Sequence, residues 1–286
     1  MRKNIFDIAS ENITMKSEVE RLVYLATKEI TLCVQLYDNK TLFQYVNHYR
    51  FDQWKQRGHF LNLQDFLKVI DYEGVKKKAA NDVESLLTLI EIIYNIWMLA
   101  YKAFDDMGRN HSLEYYESYY HLKEIMDDLL KQYNYTVYID EKNEQVLVIE
   151  DNPAVTATAE IVDAPLATEI IRYNHHALKG EIDLKKEILL KMALNLEPQR
   201  KELKALDSKL EDNIFFMFNN LDLRHNNHSM KDKNYKEYVA KMDKEALENW
   251  YDELYQMVLL AFLLLDNVER TGKVKELKGK IAGGTN

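Results

Sequence analysis

Apolar side chains recur at three- and four-residue steps through much of this chain, the spacing that gathers them on one face of an α-helix. The clearest case is Leu247, Trp250, Tyr251, Leu254, Met257, Val258, Ala261, Phe262, Leu265 and Val268, which predicts a long core helix capped by Asp243. A first helix is expected from Glu11 to about Leu36, with Val19, Leu22, Val23, Ala26, Ile30, Cys33 and Val34 inward and Thr14 or Ser17 as its cap. A second runs from Asn81 or Asp82 to about Phe104, burying Leu86, Leu87, Ile90, Ile93, Trp97, Ala100 and Phe104. Gly108 breaks that pattern, and Ser112 is placed to cap the next helix. Further helices are expected from Pro165 to Gly180, from Leu184 to Leu196, and from Pro198 to Asn219-Asn220. The last of these is charged in its first half and apolar in its second, at Leu210, Ile214, Phe215, Met217 and Phe218.

One stretch alternates instead. Tyr135 to Ile139 and Gln145 to Ile149 are β-branched and aromatic runs on either side of a polar connection, the pattern of a hairpin. The expected fold class is therefore mainly α: helical bundles with one small β-hairpin between two helical halves. The corresponding segments are an N-terminal helical region, 1–133, a hairpin or boundary, 134–152, a C-terminal helical bundle, 153–281, and a flexible tail, 282–286. Eight glycines and three prolines in 286 residues agree with long helices, because both residues concentrate in loops.

Composition narrows the function classes. A hydrophobic fraction of 47% with 30% charged residues is that of a globular protein rather than a disordered one. The net charge of −9 argues against an extended DNA- or RNA-binding surface, which needs a basic face, although it permits a local site. The single cysteine, Cys33, forms no internal disulfide and excludes a multi-cysteine zinc centre, so no metal and no cofactor are expected. The N-terminus has no apolar run of signal-peptide length, and the apolar stretch around VLLAFLLLDN is too short to span a bilayer. A cytoplasmic protein without a membrane partner is expected. No Walker loop, Rossmann glycine fingerprint, GxSxG or HExxH is present.

Four polar or aromatic clusters remain. His48, Tyr49, Phe51, Trp54, Arg57, His59 and Phe60 mix aromatics with basic residues, a set that can stack bases but more commonly packs between helices. Arg109, Asn110 and His111 form a short polar loop. His175 and His176 are adjacent on a predicted helix, where they diverge too far to share one metal ion, and read as a histidine-rich surface. The fourth cluster, LDLRHNNHSM, places Arg224, His225, Asn226, Asn227 and His228 directly between two helices. Arginine offers a permanently charged fork matched to phosphate oxygens, and histidine transfers protons near neutral pH. Arg224 would bind a scissile phosphate, and His228 would act as general acid or base on a ribose 2′-hydroxyl or the leaving oxygen. His225, Asn226 and Asn227 would hold the substrate.

An Arg-plus-His motif between the last two long helices of an all-α bundle resembles the HEPN superfamily, over roughly Pro165 to Leu265. The matching residues are Arg224, His225 and His228; the three-residue spacer His225-Asn226-Asn227 is shorter than the family's usual one. The resemblance implies a bundle of about four or five helices. It also implies a homodimer that brings two motifs together, and metal-independent RNA cleavage of phage-defence, abortive-infection or toxin–antitoxin type. An antitoxin or other protein partner would then hold it in check. The same residues can instead cap helices and satisfy orphan carbonyls. The alternative is thus a non-catalytic all-α interaction or regulatory module. With the short spacer, Arg224 and His228 become neighbours if the loop is helical, at i and i+4.

Overall fold

The computed structural model describes residues 14–31, 39–107 and 113–283. It is mainly α, with a β-hairpin between two helical halves, and the chain divides into two compact units, Met1–Asp151 and Asn152–Asn286.

In the first unit, α1 spans Met15–Thr27, with Thr14 and Ser17 forming a reciprocal capping box. It stops at Thr27, well short of the expected Leu36, because Lys28 is extended and Ile30–Thr31 (β1) pairs antiparallel with Asn39–Lys40 (β2). Cys33 and Val34 lie outside the described residues. Helix α2, Leu42–Tyr49, repeats the capping box with Thr41 and Gln44. Two short 3-10 turns, Phe51–Gln53 and Lys55–Arg57, lead to α3, Leu63–Val69, and α4, Tyr72–Lys78. The aromatic-rich segment packs as core: Trp54 and Phe60 both meet Phe66 edge-on, at 5.2 and 5.6 Å.

Helix α5, Val83–Met107, is the axis of this unit, and Asp82 caps it by accepting from the Ser85 amide and hydroxyl. Leu86, Leu87, Ile90 and Ile93 are wholly buried. Its Val83–Lys102 stretch is long and apolar enough to cross a membrane by length and composition alone, yet 56% of its most apolar window is buried inside the protein. Helix α6, Leu113–Gln132, follows; Arg109, Asn110, His111 and Ser112 lie outside the described residues.

The hairpin pairs β3, Tyr135–Asp140, with β4, Gln145–Glu150, in the register Tyr135↔Glu150 to Asp140↔Gln145. Its connection, loose by sequence, is fastened from outside. Trp54 Nε1, Lys55 Nζ and Gln56 Nε2 donate to the carbonyls of Glu144, Lys142 and Asn143, at 3.0, 3.1 and 2.9 Å.

In the second unit, α7 is Pro153–Ala159 and α8 is Ala164–Tyr173, capped by Asn152 and Asp163 with a proline in each first turn. Helix α8 ends at Tyr173 rather than at Gly180. His175 therefore sits on a turn, where its Nδ1 accepts from the Ala177 amide, and His176 is buried rather than on the surface. Gly180 takes φ +82°, a left-handed conformation that glycine adopts without strain.

Helix α9, Ile182–Leu196, is followed by a 3-10 turn at Glu197–Gln199, α10, Arg200–Leu206, and α11, Ser208–Asn220. The expected single helix from Pro198 is broken at Asp207, which is extended and caps α11 by accepting from the amides of Lys209 and Leu210. A one-turn helix α12, Glu237–Ala240, precedes α13, Lys244–Gly283, which Asp243 caps through the Ala246 amide at 2.7 Å.

Helix α13 packs against α7, α9, α10 and α11. Tyr251, Leu254, Tyr255, Val258, Leu259 and Ala261 are its deepest side chains, whereas Trp250 and Val268, expected inside, are 45% and 40% exposed. The helix continues to Gly283, past the point where a frayed tail was expected; 284–286 lie outside the described residues.

Candidate functional site

The segment from Leu221 to Lys236 joins α11 to α12, and its geometry begins with the end of α11. Asp222 takes φ +56°, a left-handed residue after the helix, and the Arg224 amide returns to the Phe218 carbonyl at 3.0 Å, closing the last turn. Tyr251 of α13 donates its hydroxyl to the Leu221 carbonyl at 3.1 Å. From Leu221 to His225 the chain bends and is not helical. The four-residue spacing thus gives Arg224 and His228 no common helical face.

Each candidate residue has a definite place. Arg224 is an ion-pair partner of Glu197, and its guanidinium lies over Phe215 and Phe218 at 5.3 and 5.2 Å from the ring centres. Asn227 is completely buried. Its side-chain oxygen accepts from the Asp222 amide at 2.7 Å, its Nδ2 donates to the Asn234 carbonyl at 2.7 Å, and its own amide donates to Asp222 Oδ1 at 2.9 Å. Asn226 is exposed, and its Oδ1 accepts from the amides of His228 and Ser229, at 3.2 and 2.9 Å, forming a local turn. His225 is exposed. His228 Nε2 stands 4.0 Å from Asp222 Oδ2, the same oxygen that accepts from Lys186 Nζ at 2.9 Å.

Asp222 and Asn227 thus knit the loop together from its middle, while Arg224 ties it back to the α9–α10 junction. Only His225, Asn226 and His228 of the five present an exposed side chain. The chemistry open to this loop is a histidine beside a carboxylate, with an arginine whose charge already faces Glu197.

A second polar cluster in the same unit escaped the sequence reading. Lys185 of α9, with its side chain 7% exposed, reaches both Glu248 and Asp252 of α13 at 2.7 Å. Tyr173 donates its hydroxyl to Asp252 at 2.8 Å and stacks on Tyr255 with ring centres 4.0 Å apart. Burial and the neighbouring Asp252 charge push the Tyr173 hydroxyl far above its ordinary range. Glu248 also accepts from the Gly180 amide at 2.7 Å. Burial works against the Glu248 carboxylate, but the Lys185 and Gly180 donors outweigh it and hold its pKa below the ordinary value. The signal that marks this cluster is a lysine on the apolar stripe of α9, one turn before Ile188 and Leu189 and two before Met192.

An open cavity of about 390 Å³ lies elsewhere in the unit, between Val162, Asp163, Asn195 and Gln199 on one side and Phe262, Asp266 and Glu269 on the other. It shares no lining residue with the loop.

No family model, curated protein or solved structure matches the chain.

Proposed function

We propose that the second unit is a non-catalytic helical interaction module, in which the loop around Arg224 is a rigid brace between α11 and the helices beside it. The observation that carries this reading is the employment of Arg224: its charge is matched by Glu197 and its face is covered by Phe215 and Phe218. A phosphate would have to displace a carboxylate already paired with the guanidinium. Asn227, with both side-chain heteroatoms bonded inside the loop and no exposed surface, supports the same reading.

A second reading retains a metal-independent ribonuclease related to the HEPN superfamily and acting in phage defence or as a toxin. It is favoured by the exposed His228 imidazole, a side-chain type suited to proton transfer, with the Asp222 carboxylate 4.0 Å away, beyond hydrogen-bond distance. In that reading Arg224 would swing from Glu197 to the phosphate when RNA binds a local site, and a protein partner such as an antitoxin would regulate it.

The two readings part on one experiment: incubation of a mixed RNA substrate with the purified protein in EDTA, beside Arg224→Ala and His228→Ala variants of intact fold. The interaction module predicts no cleavage by any of them and a lower melting temperature for Arg224→Ala. Cleavage by the parent that both variants lose, leaving 2′,3′-cyclic phosphate ends, would establish the ribonuclease instead.

A further inference from the structure

The β-hairpin of the first unit has two edges, and one of them is closed from outside. The Asp151 amide donates to the Asn134 carbonyl at 2.8 Å, which fixes the alternation along the ladder: Thr136, Tyr138 and Asp140 turn their main-chain groups toward β4. Those of Tyr135, Val137 and Ile139 therefore point away from it. The same phase holds on β4, where Val146 and Val148, opposite Ile139 and Val137, point outward and are met by Asn95 and Glu91 of α5. Nothing equivalent meets β3: among the described residues, no hydrogen bond reaches the outward amides and carbonyls of Tyr135, Val137 and Ile139.

This edge also lacks the devices that blunt an exposed strand. Tyr135 to Ile139 contains no proline, no lysine and no bulge, and its β-branched and aromatic residues favour an extended main chain. A cavity of about 340 Å³ adjoins it, lined by Lys123, Asp127 and Lys131 of α6 and by Tyr135 and Val137 of β3. Charge does not select the occupant, because Lys123 is already paired with Asp127. Main-chain geometry does. The unpaired groups recur roughly every 7 Å, an amide and a carbonyl side by side, and an extended polypeptide presents the matching row of acceptors and donors. A second copy of β3 is less suited. Two such strands pairing antiparallel are related by a two-fold axis perpendicular to the sheet, so both α6 helices would lie on one face and contend for the same groove.

We propose that the outer edge of β3 is a strand-addition site, at which an extended segment of a partner polypeptide pairs with Tyr135, Val137 and Ile139 beside α6. Alternate side chains of that segment turn toward α6, where the Lys123–Asp127 ion pair and Lys131 favour polar residues. The site belongs to the first unit and does not depend on whether the Arg224 loop cleaves RNA.

A phage-displayed library of random octapeptides, selected on the full chain, supplies the probe; the most enriched peptide is then synthesised and titrated against the parent, Val137→Pro and Ile139→Pro. Each proline deletes one outward N–H and leaves every bond to β4 in place. Circular dichroism and melting check the fold, and Ile139, 42% exposed, gives up less packing than the half-buried Val137. Hydrogen exchange in the parent needs no variant. The peptide should slow exchange at the amides of Tyr135, Val137 and Ile139, leave that of Val146 unchanged, and bind about tenfold or more weakly to either proline variant. A library that enriches no peptide overturns the proposal, as does a peptide that protects other amides or binds the proline variants as it binds the parent. Sedimentation equilibrium covers the remaining occupant: a dimer of the parent that Val137→Pro or Ile139→Pro dissociates would make a second copy the partner and overturn the assignment to a peptide.

Discussion

Asp222 and Asn227 exchange hydrogen bonds in both directions: the Asp222 amide donates to Asn227 Oδ1 at 2.7 Å, and the Asn227 amide donates to Asp222 Oδ1 at 2.9 Å. The pair closes a six-residue loop on itself, and because Asn227 is wholly buried, water cannot replace what either partner loses. Asn227→Ala should therefore destabilise the second unit by about 2–3 kcal/mol, through the stranded Asp222 amide and Asn234 carbonyl. Urea unfolding reads this directly. A cost below ~0.5 kcal/mol would mean that the loop does not depend on its central asparagine.

Arg224 and Glu197 allow a finer measurement. The pair is partly open to solvent, with side chains 23% and 44% exposed, so screening limits its ion-pair coupling to about 0.5–1 kcal/mol in a double-mutant cycle. Arg224→Ala alone should cost more than that coupling, because it also uncovers Phe215 and Phe218. Arg224→Lys should keep much of the ion-pair energy and lose the ring contact. If the Lys and Ala variants melt together, the rings rather than the carboxylate hold the arginine.

How much of this was legible in the sequence follows from the range of the interactions involved. The caps at Thr14, Asp82 and Asp243 and the helical faces of α5 and α13 depend on neighbours three or four positions away, which a linear pattern displays. The hairpin was legible for the same reason. The ends of helices were less so: α1 stops at Thr27 because β1 and β2 pair, and the break at Asp207 trades helical continuity for a cap on α11. The loop around Arg224 stood out as polar, but its internal bonding did not. Whether an arginine is available depends on Glu197, twenty-seven positions earlier, and nothing local announces that partner.

The hairpin edge in the first unit makes a separate point about range. Asn95 of α5 presents both ends of its side-chain amide to one residue of β4: Nδ2 donates to the Val146 carbonyl at 2.8 Å, and Oδ1 accepts from the Val146 amide at 2.9 Å. One turn earlier, Glu91 accepts from the Val148 amide at 2.6 Å. The helix thereby stands in for a missing neighbouring strand and covers an edge that would otherwise be open. Asn95→Leu, close to it in size, removes both bonds and should destabilise the first unit by about 2–4 kcal/mol. Hydrogen exchange at the Val146 amide should quicken in the variant while exchange in α13 stays unchanged.

Lys185 is a largely enclosed cation of the second unit, its side chain 7% exposed, and its removal should be felt more than that of a surface ion pair. Lys185→Met leaves Glu248 and Asp252 facing each other without a cation. Because Glu248 is largely enclosed while Asp252 is 45% exposed, the expected cost is about 3 kcal/mol rather than the upper end for a fully buried pair. Adding Glu248→Gln to Lys185→Met should recover part of it, since the neutral amide still accepts from Gly180 and no longer repels Asp252. A double variant no more stable than Lys185→Met would rule out charge as the origin of the loss.

The same cluster predicts how stability depends on pH. Glu248 is held below its ordinary value of 4.5 in the folded chain by Lys185 and the Gly180 amide, against the opposing effect of burial. Unfolding restores the ordinary value, so the unfolded chain binds the proton more readily. The stability contributed by this carboxylate is therefore complete above about pH 5, and it is lost as the pH falls through the depressed folded value. Glu248→Gln carries no such titration. The gap in melting temperature between the parent and Glu248→Gln should be widest near neutrality and close on acidification below pH ~4. A gap of constant width from pH 7 to pH 3 would show that the glutamate acts through its shape and hydrogen bonds alone, and that its charge contributes nothing to the fold.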